Sequence, residues 1–439
     1  MNDDLSTRRD FVKIASAGLA ASAVLSTAPA RASTAANDRL VVALIGCGGR
    51  GEHDAGLFQK VDNVEIGWVC DVDEARRGAA AKKFGVESSR SVGDLRRILD
   101  EKSVDIALIT TPDHWHSPAS ILACDAGKHV YVEKPISHNI LEGRLLIDAA
   151  ARNKALVQHG TQCRSTDMMI EAVRLLREGI IGNVRAAKCW NIQRRNALPK
   201  GEDTQPPANL DYDSWVGPAT MIPYRTNRVH NRWTMWRHFG AGDMGNDGVH
   251  DLDYTRWGLG VDSHPTKISA NGGKYFFDDE QEFPDTQQVT FEYPGDGTPS
   301  SRKMLIYEQR LWSTSYPHNC DSGAEFYGEK GQLFLSRRGK IEVRGDRNQV
   351  LETKIKPEPQ NDQAHVANLC QAIREGTRLN ADALTGHLSS ALCHLGNISV
   401  RVGRSLVFDP LTEQITGDDP ANALVRREYR EHWGKPRGA

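Results

Sequence analysis

A continuous apolar segment that runs straight into a glycine-rich turn limits the possible folds of this chain more than any other feature. Residues 39–45 are typical of a buried parallel strand, and residues 46–51 follow with the pattern Gly-x-Gly-x-x-Gly. A helical stretch begins near His53, and a second apolar strand, residues 64–70, ends at Asp71. This order of elements predicts the first unit of a doubly wound parallel sheet.

The three glycines and the acid also predict what the turn binds. Gly46 permits a tight turn, Gly48 lets the backbone approach a pyrophosphate, and Gly51 lets the helix pack close to the strand. The amides at the start of the helix face the phosphate charge. Asp71 stands where a carboxylate can bind the ribose hydroxyls. We therefore expect a Rossmann domain that binds a nicotinamide dinucleotide.

Asp71 also bears on which dinucleotide is bound. Its negative charge would repel the 2′-phosphate of NADP, which favours NAD. Arg76 and Arg77 follow closely, and their positive charges would partly offset this repulsion, so NADP stays open as an alternative.

Strands and helices continue to alternate up to about residue 160, which indicates a parallel sheet with helices on both faces. Further strands are predicted at residues 104–110, 129–132 and 156–159, and helices at residues 117–126 and 140–151. Ligands bind beyond the carboxyl ends of the strands in such sheets. Two polar motifs lie at those ends, residues 111–116 and residues 133–135.

The N-terminal segment predicts export of the protein. The pair Arg8-Arg9 precedes a weakly hydrophobic, alanine-rich stretch, residues 14–28, and an Ala-x-Ala sequence ends at Ala30 or Ala32. These features resemble a twin-arginine signal, and the stretch is too short and too rich in alanine for a stable membrane anchor. We expect a periplasmic or secreted protein that the twin-arginine machinery exports folded.

Charge and cysteine content narrow the remaining classes. The net charge is −2 at pH 7, so no basic field predicts binding to nucleic acid. The eight cysteines show no CxxC or CxxH spacing, and several lie in apolar runs. We expect them to be buried free thiols, because a protein that folds in the cytoplasm before export need not form disulfides.

The chain resembles the glucose–fructose oxidoreductase/inositol dehydrogenase family, Gfo/Idh/MocA. The matching motifs are the glycine turn at Gly46, Asp71, residues 111–116 ending at His116, residues 126–135 ending in Glu-Lys-Pro, residues 160–164 and residues 248–253 around His250. The resemblance implies an α/β Rossmann domain followed by an α+β domain. The second domain would contain an open, mostly antiparallel sheet that packs on a neighbouring subunit, giving a homo-oligomer.

The expected organisation is a signal at residues 1–32, a Rossmann domain at 33–160, a substrate-binding and oligomerisation domain at 161–408 and a C-terminal tail at 409–439. The residues expected to bind the cofactor are Gly46, Gly48, Gly49, Arg50, Gly51, Asp71, Thr111, Pro112, His116, Glu133 and Lys134.

The resemblance also implies the catalytic residues. Lys134 would reach the nicotinamide ribose and the substrate hydroxyl, and His250 would be the acid/base. The family usually has an acid four residues before this histidine, but here that residue is Asn246, and the acid has moved to Asp247. If the segment is helical, Asp247 points about 100° away from Asn246. Asn246 can orient a hydroxyl but cannot relay a proton, which puts the usual lysine–aspartate–histidine triad in doubt.

Interleaved tryptophans, arginines and a histidine at residues 231–238 predict a sugar pocket, although an interface or core cluster would have the same composition. The candidate substrate-binding residues are Arg164, Trp190, Asn191, Trp233, Trp236, Arg237, Asp247 and His250. Histidines and acids are dense here, but no spacing of metal ligands accompanies them, so we expect no metal.

Three functions are consistent with these residues. The leading hypothesis is an oxidoreductase that moves hydride between tightly bound NAD and a sugar or polyol carbinol, in a redox-neutral cycle because little free NAD exists outside the cytoplasm. The second is a glycosidase that oxidises a sugar transiently and eliminates the glycoside, although residues 247–250 lack the Tyr-x-Thr-His segment of such enzymes. The third is a non-catalytic sugar-binding protein that retains NAD, against which Lys134 and His250 argue.

Overall fold

The computed structural model describes residues 39–230, 232–430 and 435–439. The predicted signal at residues 1–32 lies outside the described residues. Residues Leu40–Ala439 form one compact unit. No described helix is both long enough and apolar enough to cross a bilayer.

The first half folds into a six-stranded, all-parallel sheet in the order β3-β2-β1-β4-β5-β6. Its strands are β1 (Leu40–Ile45), β2 (Val64–Cys70), β3 (Ser91–Val92), β4 (Ile106–Ile109), β5 (His129–Val132) and β6 (Val157–His159). The intervening helices are α1 (Gly49–Phe58), α2 (Glu74–Phe84), α3 (Arg96–Leu99), α4 (Asp113–Asp125) and α5 (Ile140–Asn153). The strand order reverses at β1, so the glycine turn lies at the switch point where ligands bind.

The second half folds around a ten-stranded mixed sheet in the order β14-β13-β12-β11-β7-β10-β9-β8-β15-β16. Only the β7–β10 pair is parallel, which confirms the predicted, mostly antiparallel sheet. The strands are β7 (Val184–Asn191), β8 (Lys267–Gly273), β9 (Thr286–Tyr293), β10 (Lys303–Arg310), β11 (Ser322–Gly328), β12 (Gly331–Ser336), β13 (Lys340–Arg344), β14 (Val350–Leu351), β15 (Leu406–Asp409) and β16 (Gln414–Ile415).

The remaining helices pack on both sheets. They are α6 (Asp167–Arg177), α7 (Tyr212–Val216), α8 (Val249–Leu259), α9 (Asp362–Glu375), α10 (Ala383–Val402) and α11 (Asp419–Asn422). Helices α6, α8 and α10 share one core with the inner face of the ten-stranded sheet. Helix α9 instead packs its Val366 and Leu369 with Phe58 of α1 and Tyr131 of β5, in the core of the first sheet. A helix from the C-terminal half of the chain therefore completes the core of the nucleotide-binding half. The expected domain boundaries, 33–160 and 161–408, place this helix in the second domain.

Two helices begin earlier than the sequence pattern predicts. Helix α1 begins at Gly49 rather than near His53, because Gly48 already has the extended backbone of an N-cap. Helix α4 begins at Asp113 rather than at Ser117, so the whole 113–116 motif lies in its first turn. Pro118 lies inside this helix and supplies no amide to the carbonyl of His114, which instead accepts from Nη2 of Arg427 at 2.6 Å.

All eight cysteines are buried and free, as predicted. Burial raises the pKa of several of these thiols, for example that of Cys124 to about 12. A thiol with such a pKa stays protonated and unreactive at neutral pH.

Candidate active site

The glycine turn can be built only from glycine at two of its positions. Gly46 has a φ of +97°, and a Cβ there would lie 2.7 Å from the carbonyl carbon of Thr110. A Cβ at Gly51 would lie 2.1 Å from the carbonyl oxygen of Gly46. These contacts hold the start of α1 against the end of β1, so that its first amides point into the space above the sheet.

A cavity of about 220 Å³ lies at this turn and has the features of a dinucleotide site. The predicted cofactor residues among its lining are Gly46, Gly48, Gly49, Arg50, Asp71, Thr111 and Pro112. The Oγ1 atom of Thr111 is buried with no hydrogen-bond partner among the described residues, as expected where a ligand supplies one. The residues therefore fit a nicotinamide dinucleotide.

Asp71 is held in place by two backbone amides at the end of β2. Its Oδ2 accepts from the amide of Cys47 at 2.7 Å and its Oδ1 from the amide of Asp73 at 2.9 Å. Burial raises the pKa of Asp71, while the two amides and Arg76 act in the opposite direction. The remaining lone pairs of this carboxylate are the acceptors that ribose hydroxyls need.

Arg50 and Glu133 tie the glycine turn to the end of β5. The Nε of Arg50 lies 3.1 Å from Oε1 of Glu133, and its other nitrogens lie 3.0 Å from Asp54 and 3.1 Å from Asp362. Gln162 donates to Glu133 at 2.9 Å. Burial opposes ionisation of Glu133, but Arg50 and Lys134 outweigh it and lower the pKa. Both residues therefore have internal partners, and they position Lys134, which follows Glu133 directly.

His116 lies between the ends of two strands. One ring nitrogen is 2.6 Å from the carbonyl oxygen of Pro135 and the other is 2.7 Å from that of Thr111. Its predicted contact with the cofactor is thus replaced by a structural one: the ring clamps the 111–116 motif to the segment after Lys134.

Lys134 is hydrogen-bonded to the residue that replaces the usual acid. Its Nζ donates to Oδ1 of Asn246 at 3.1 Å, and Nδ2 of Asn246 donates to Oδ1 of Asp243 at 3.2 Å. Because an amide has one acceptor end and one donor end, Asp243 fixes the acceptor end of Asn246 toward Lys134. Asp243 in turn accepts from Asn191 at 2.8 Å and from Nε of Arg195 at 3.2 Å.

The turn before α8 sends Asn246 and Asp247 to different partners. Residues Met244–Gly248 form a π-helical turn, a form of helix that recurs at functional sites. Asp247 contacts Arg195 and accepts from Nη2 of Arg337 at 3.1 Å. Burial would raise the pKa of Asp247, but Arg337, Lys134 and Arg195 outweigh it and lower the pKa. Asp247 is therefore a fixed negative charge and not a proton carrier at neutral pH.

His250 is a buried, neutral imidazole beside these charges. Burial lowers its pKa well below the ordinary value, and the positive charges of Arg337 and Lys134 lower it further. Its Nδ1 has no hydrogen-bond partner in the part of the chain that the structure describes. A neutral ring with a free nitrogen next to Lys134 has the properties of a proton acceptor.

Two predicted substrate residues lie in the protein interior instead. Trp190 is fully buried, stacks at 5.9 Å between ring centroids on Phe334, and donates its Nε1 to the carbonyl of Cys320 at 2.8 Å. Arg164 forms a buried ion pair with Asp253, Nε to Oδ2 2.8 Å. Both predicted substrate contacts are corrected, because each side chain already uses its polar groups internally.

The tryptophans and the arginine predicted from residues 231–238 lie in three different parts of the structure. Trp233 lines the dinucleotide cavity. Trp236 is buried in a small apolar cluster and donates to the carbonyl of Asn227 at 3.2 Å, as the alternative of a core cluster predicted. Arg237 lines a different cavity, described below. Asn191 lies behind the site, on Asp243.

The sequence did not reveal Asp243, Arg195 or Arg337 as parts of the site. Of the three, only Asp243 has a signal in the sequence, because it is an acid three residues before Asn246. Arg195 and Arg337 come from the ends of β7 and β12, and only the pairing of those strands with β11 brings them to Asp247.

Two histidines and a glutamate form a separate cluster of possible metal ligands, in which both histidines pair with the glutamate carboxylate. Oε1 of Glu413 lies 3.0 Å from Nε2 of His264 and 2.9 Å from Nε2 of His387, and Arg144 also contacts it. Metal ligation by both Nε2 atoms would place a proton on each Nδ1. Neither Nδ1 has a partner among residues 39–230, 232–430 and 435–439, whereas metal-binding histidines normally have one.

Two family models match the chain. One, described as "Oxidoreductase family, NAD-binding Rossmann fold", matches residues 40–161. The other, "Oxidoreductase family, C-terminal alpha/beta domain", matches residues 190–435.

Individual relatives match over shorter segments. The levoglucosan dehydrogenase of Pseudarthrobacter phenanthrenivorans is 32% identical over 131 residues, which is 30% of this chain and 33% of that protein. A glycosyl hydrolase family 109 protein of Shewanella sp. (strain W3-18-1) is 29% identical over 206 residues, 40% of this chain and 44% of that protein. The chain thus spans less than half the length of each of these curated relatives.

A solved structure has a similar fold over most of the chain. The aldose–aldose oxidoreductase of Caulobacter crescentus has a TM-score of 0.65 at 17% identity, covering 84% of this chain and 100% of that one. At this identity the likeness concerns the fold. The first family model covers the six-stranded sheet, and the second covers the ten-stranded sheet apart from most of β7. The second alone matches more than half of the sequence, so the chain belongs to the Gfo/Idh/MocA oxidoreductase family.

Proposed function

We propose that this protein is an NAD-dependent oxidoreductase that transfers hydride between the cofactor and a ring carbinol of a sugar or polyol. The observation that carries the proposal is the juxtaposition of Lys134, Asn246 and His250 beyond the carboxyl ends of the parallel strands. Relatives named levoglucosan dehydrogenase and inositol 2-dehydrogenase support the substrate class.

The cofactor would be held by the glycine turn, Asp71 and Thr111, and when bound it would supply the hydride acceptor. Lys134 donates a hydrogen bond to the carbinol oxygen and stabilises the negative charge that develops there. His250 accepts the hydroxyl proton on its neutral ring. Arg337 and Lys134 disfavour a lasting positive charge on His250, so the proton is returned readily to solvent or to a reduced product.

Asn246 takes the place of the usual acid without taking its proton-transfer role. Its Oδ1 accepts from Lys134 and so directs the ammonium group, while Asp243 holds its amide from the other side. We infer a site in which the lysine is positioned by a neutral acceptor and the fixed negative charges, Asp243 and Asp247, are paired with Arg195.

Export, cofactor retention and assembly belong to the same proposal. The Arg8-Arg9 segment supports folded export by the twin-arginine route to the periplasm or beyond. An enzyme outside the cytoplasm would keep NAD bound and restore its oxidation state within each cycle, oxidising one sugar and reducing another. We propose a homo-oligomer formed through the outer face of the ten-stranded sheet, where Met304 is 37% exposed.

A second candidate function is glycoside cleavage by transient oxidation. The relative from Shewanella named as a glycosyl hydrolase family 109 protein supports it. Oxidation at the same Lys134 and His250 would acidify the neighbouring C–H bond and permit elimination of the aglycone. Water would then add to the resulting double bond, and return of the hydride to the carbonyl would restore the sugar. The two candidates differ in product: an oxidised sugar and a reduced sugar in one case, a free aglycone in the other.

Replacing Lys134 tests the site. We expect Lys134→Ala to lower kcat by about 10²- to 10⁴-fold on any responsive sugar while leaving NAD affinity within about twofold of wild type. Lys128→Ala, a lysine on the same half of the chain that donates to the carbonyl of Glu101, is the matched control and should leave kcat unchanged. Turnover that survives in Lys134→Ala would show that the site is wrongly assigned.

A further inference from the structure

A second cavity, separate from the dinucleotide cavity, has a lining rich in arginine. Its volume is about 560 Å³, and it lies among helix α10, the ends of β8 and β9, and the C-terminal tail. Arg237, Lys274, Arg401, Arg426 and Arg427 line it, and Glu282 is its only acidic lining residue. None of Lys134, Asn246 and His250 is part of this lining.

Three of these arginines leave their guanidinium groups without a carboxylate. Lys274 is neutralised by Asp279 at 2.8 Å, and Arg427 by Glu142 at 2.7 Å. Arg237, Arg401 and Arg426 form no ion pair and donate no side-chain hydrogen bond in the part of the chain that is described. All three side chains are exposed, the charge of Arg401 acts on Arg237, and an anion bound between them would reduce this repulsion.

Buried donors without a partner also surround the cavity, together with the unpartnered acceptor Oδ1 of Asn397. Asn139 is 5% exposed, and its Nδ2 has no hydrogen-bond partner within the described ranges. The Nη1 of Arg427 is likewise buried and unpartnered there. Glu282, the acid of the lining, already accepts from the backbone amide of Arg237 at 2.6 Å. Buried donors without acceptors are costly, and a ligand that supplies acceptors removes that cost.

The positive charges also affect one another. Burial lowers the pKa of Arg237, and the charge of Arg401 lowers it further. Arg427, His114 and His394 add to the burial that lowers the pKa of His138, another lining residue. The groups that line this cavity thus disfavour additional positive charge and favour negative charge.

We propose that this cavity binds a compact, multiply charged oxyanion of the phosphate type, either free or as a phosphomonoester. Arg401 of helix α10, Arg426 of the tail and Arg237 would bind its oxygens through charge-assisted hydrogen bonds, and Asn139 would donate from the buried side. Since the three arginines belong to different segments, a bound oxyanion links the C-terminal tail to α10 and to the loop before the active-site turn.

The proposal is tested with the NAD-saturated protein, so that the glycine turn is not the site measured. Inorganic phosphate is titrated by calorimetry and by thermal unfolding, against chloride at matched ionic strength. We expect one site per chain and a Tm that rises with phosphate concentration. In Arg401→Gln/Arg426→Gln the phosphate Kd should rise at least about tenfold. Arg302→Gln/Arg378→Gln removes the same charge from exposed positions elsewhere and should bind phosphate as wild type does.

Folding of the double variant is checked without phosphate. Arg401 and Arg426 are exposed and have no ion-pair partner among the described residues, so the Tm of the double variant should stay close to that of wild type, and a loss of phosphate binding would then not be a loss of fold. Tighter binding of glycerol 2-phosphate than of phosphate would identify the ligand as a phosphomonoester, and the reverse order a free ion. Absence of phosphate binding above chloride, or binding that survives in Arg401→Gln/Arg426→Gln, would overturn the proposal.

Discussion

At the scale of single residues, the site depends on the orientation of the side-chain amide of Asn246, whose oxygen faces the ammonium group of Lys134. Asn246 presents its oxygen to Lys134 only because Asp243 receives its Nδ2. The sequence predicts Lys134, Asn246 and His250 as site residues because they lie in short local motifs, and the structure brings Lys134 into hydrogen-bond contact with Asn246. The sequence was not sufficient for Arg195 and Arg337, because strand pairing across the second sheet, and not chain proximity, brings them to Asp247.

Asp243→Asn tests this positioning role. An amide at position 243 no longer fixes the orientation of Asn246, and Lys134 loses a defined acceptor. We expect kcat to fall about tenfold with NAD affinity unchanged, because the lysine is displaced and not removed. Asp125→Asn, at an exposed ion pair with Arg152, is the control and should leave kcat unchanged. An unaltered kcat in Asp243→Asn would contradict the role.

The charge around His250 makes a prediction about pH. A lowered pKa keeps the ring neutral, so kcat/KM for oxidation should stay constant through the pH range in which an ordinary histidine titrates and fall only in more acidic solution. Arg337→Met removes the neighbouring positive charge and should raise the pKa of His250, moving the acidic limb of the profile to higher pH. A limb that stays in place or moves to lower pH in Arg337→Met would show that the limb belongs to another group.

At the scale of elements, the glycine turn and α1 were predictable and the contribution of α9 was not. The strand, turn and acid follow one another in sequence, and each has a local physical reason. Helix α9 joins the first sheet through Leu369 and Val366 from the far end of the chain, and amphipathic spacing alone does not say which sheet a helix covers. For the same reason Trp190, on an outward-facing position of β7, resembled a pocket residue in the sequence but stacks on Phe334.

Two glycines of α1 should respond oppositely to alanine. In Gly51→Ala the new methyl group meets the carbonyl of Gly46, so we expect lower stability and at least about tenfold weaker NAD binding. At Gly56 a Cβ meets no described atom within 4 Å, so Gly56→Ala should stabilise the helix by up to about 1 kcal/mol and leave NAD binding unchanged. Chemical denaturation and NAD titration measure both. Equal effects of the two substitutions would contradict the close approach at Gly51.

At the scale of the whole molecule, the ten-stranded sheet has helices on one face and a mixed surface on the other. Alternation along β10 sends Leu305 and Tyr307 into the core and leaves Met304 and Ile306 on the outer face. Lys188 and Glu308 form an ion pair of 2.6 Å on that face. A broad sheet surface with apolar and paired polar residues suits an interface between copies.

Charge placed on this face should dissociate the proposed oligomer. We expect light scattering to give a mass above that of one chain for wild type and a lower mass for Met304→Glu/Ile306→Glu, because the carboxylates would have to be desolvated in the interface. Ile170→Glu, at a position 37% exposed on helix α6, which packs on the opposite face of the sheet, is the control and should keep the wild-type mass. A monomeric wild type would contradict an interface through the sheet.

The most direct test of the central claim is the redox state of the bound cofactor in a single turnover. NAD-loaded protein is mixed with a panel of sugars and polyols, each carrying deuterium on its carbinol carbons, and the cofactor is released and analysed by mass spectrometry. The account predicts that at least one sugar delivers deuterium to the nicotinamide ring in wild type, and that Lys134→Ala and His250→Asn suppress the transfer although both bind NAD. Absence of deuterium in the cofactor with every sugar, or undiminished transfer in Lys134→Ala, would contradict hydride transfer at this site.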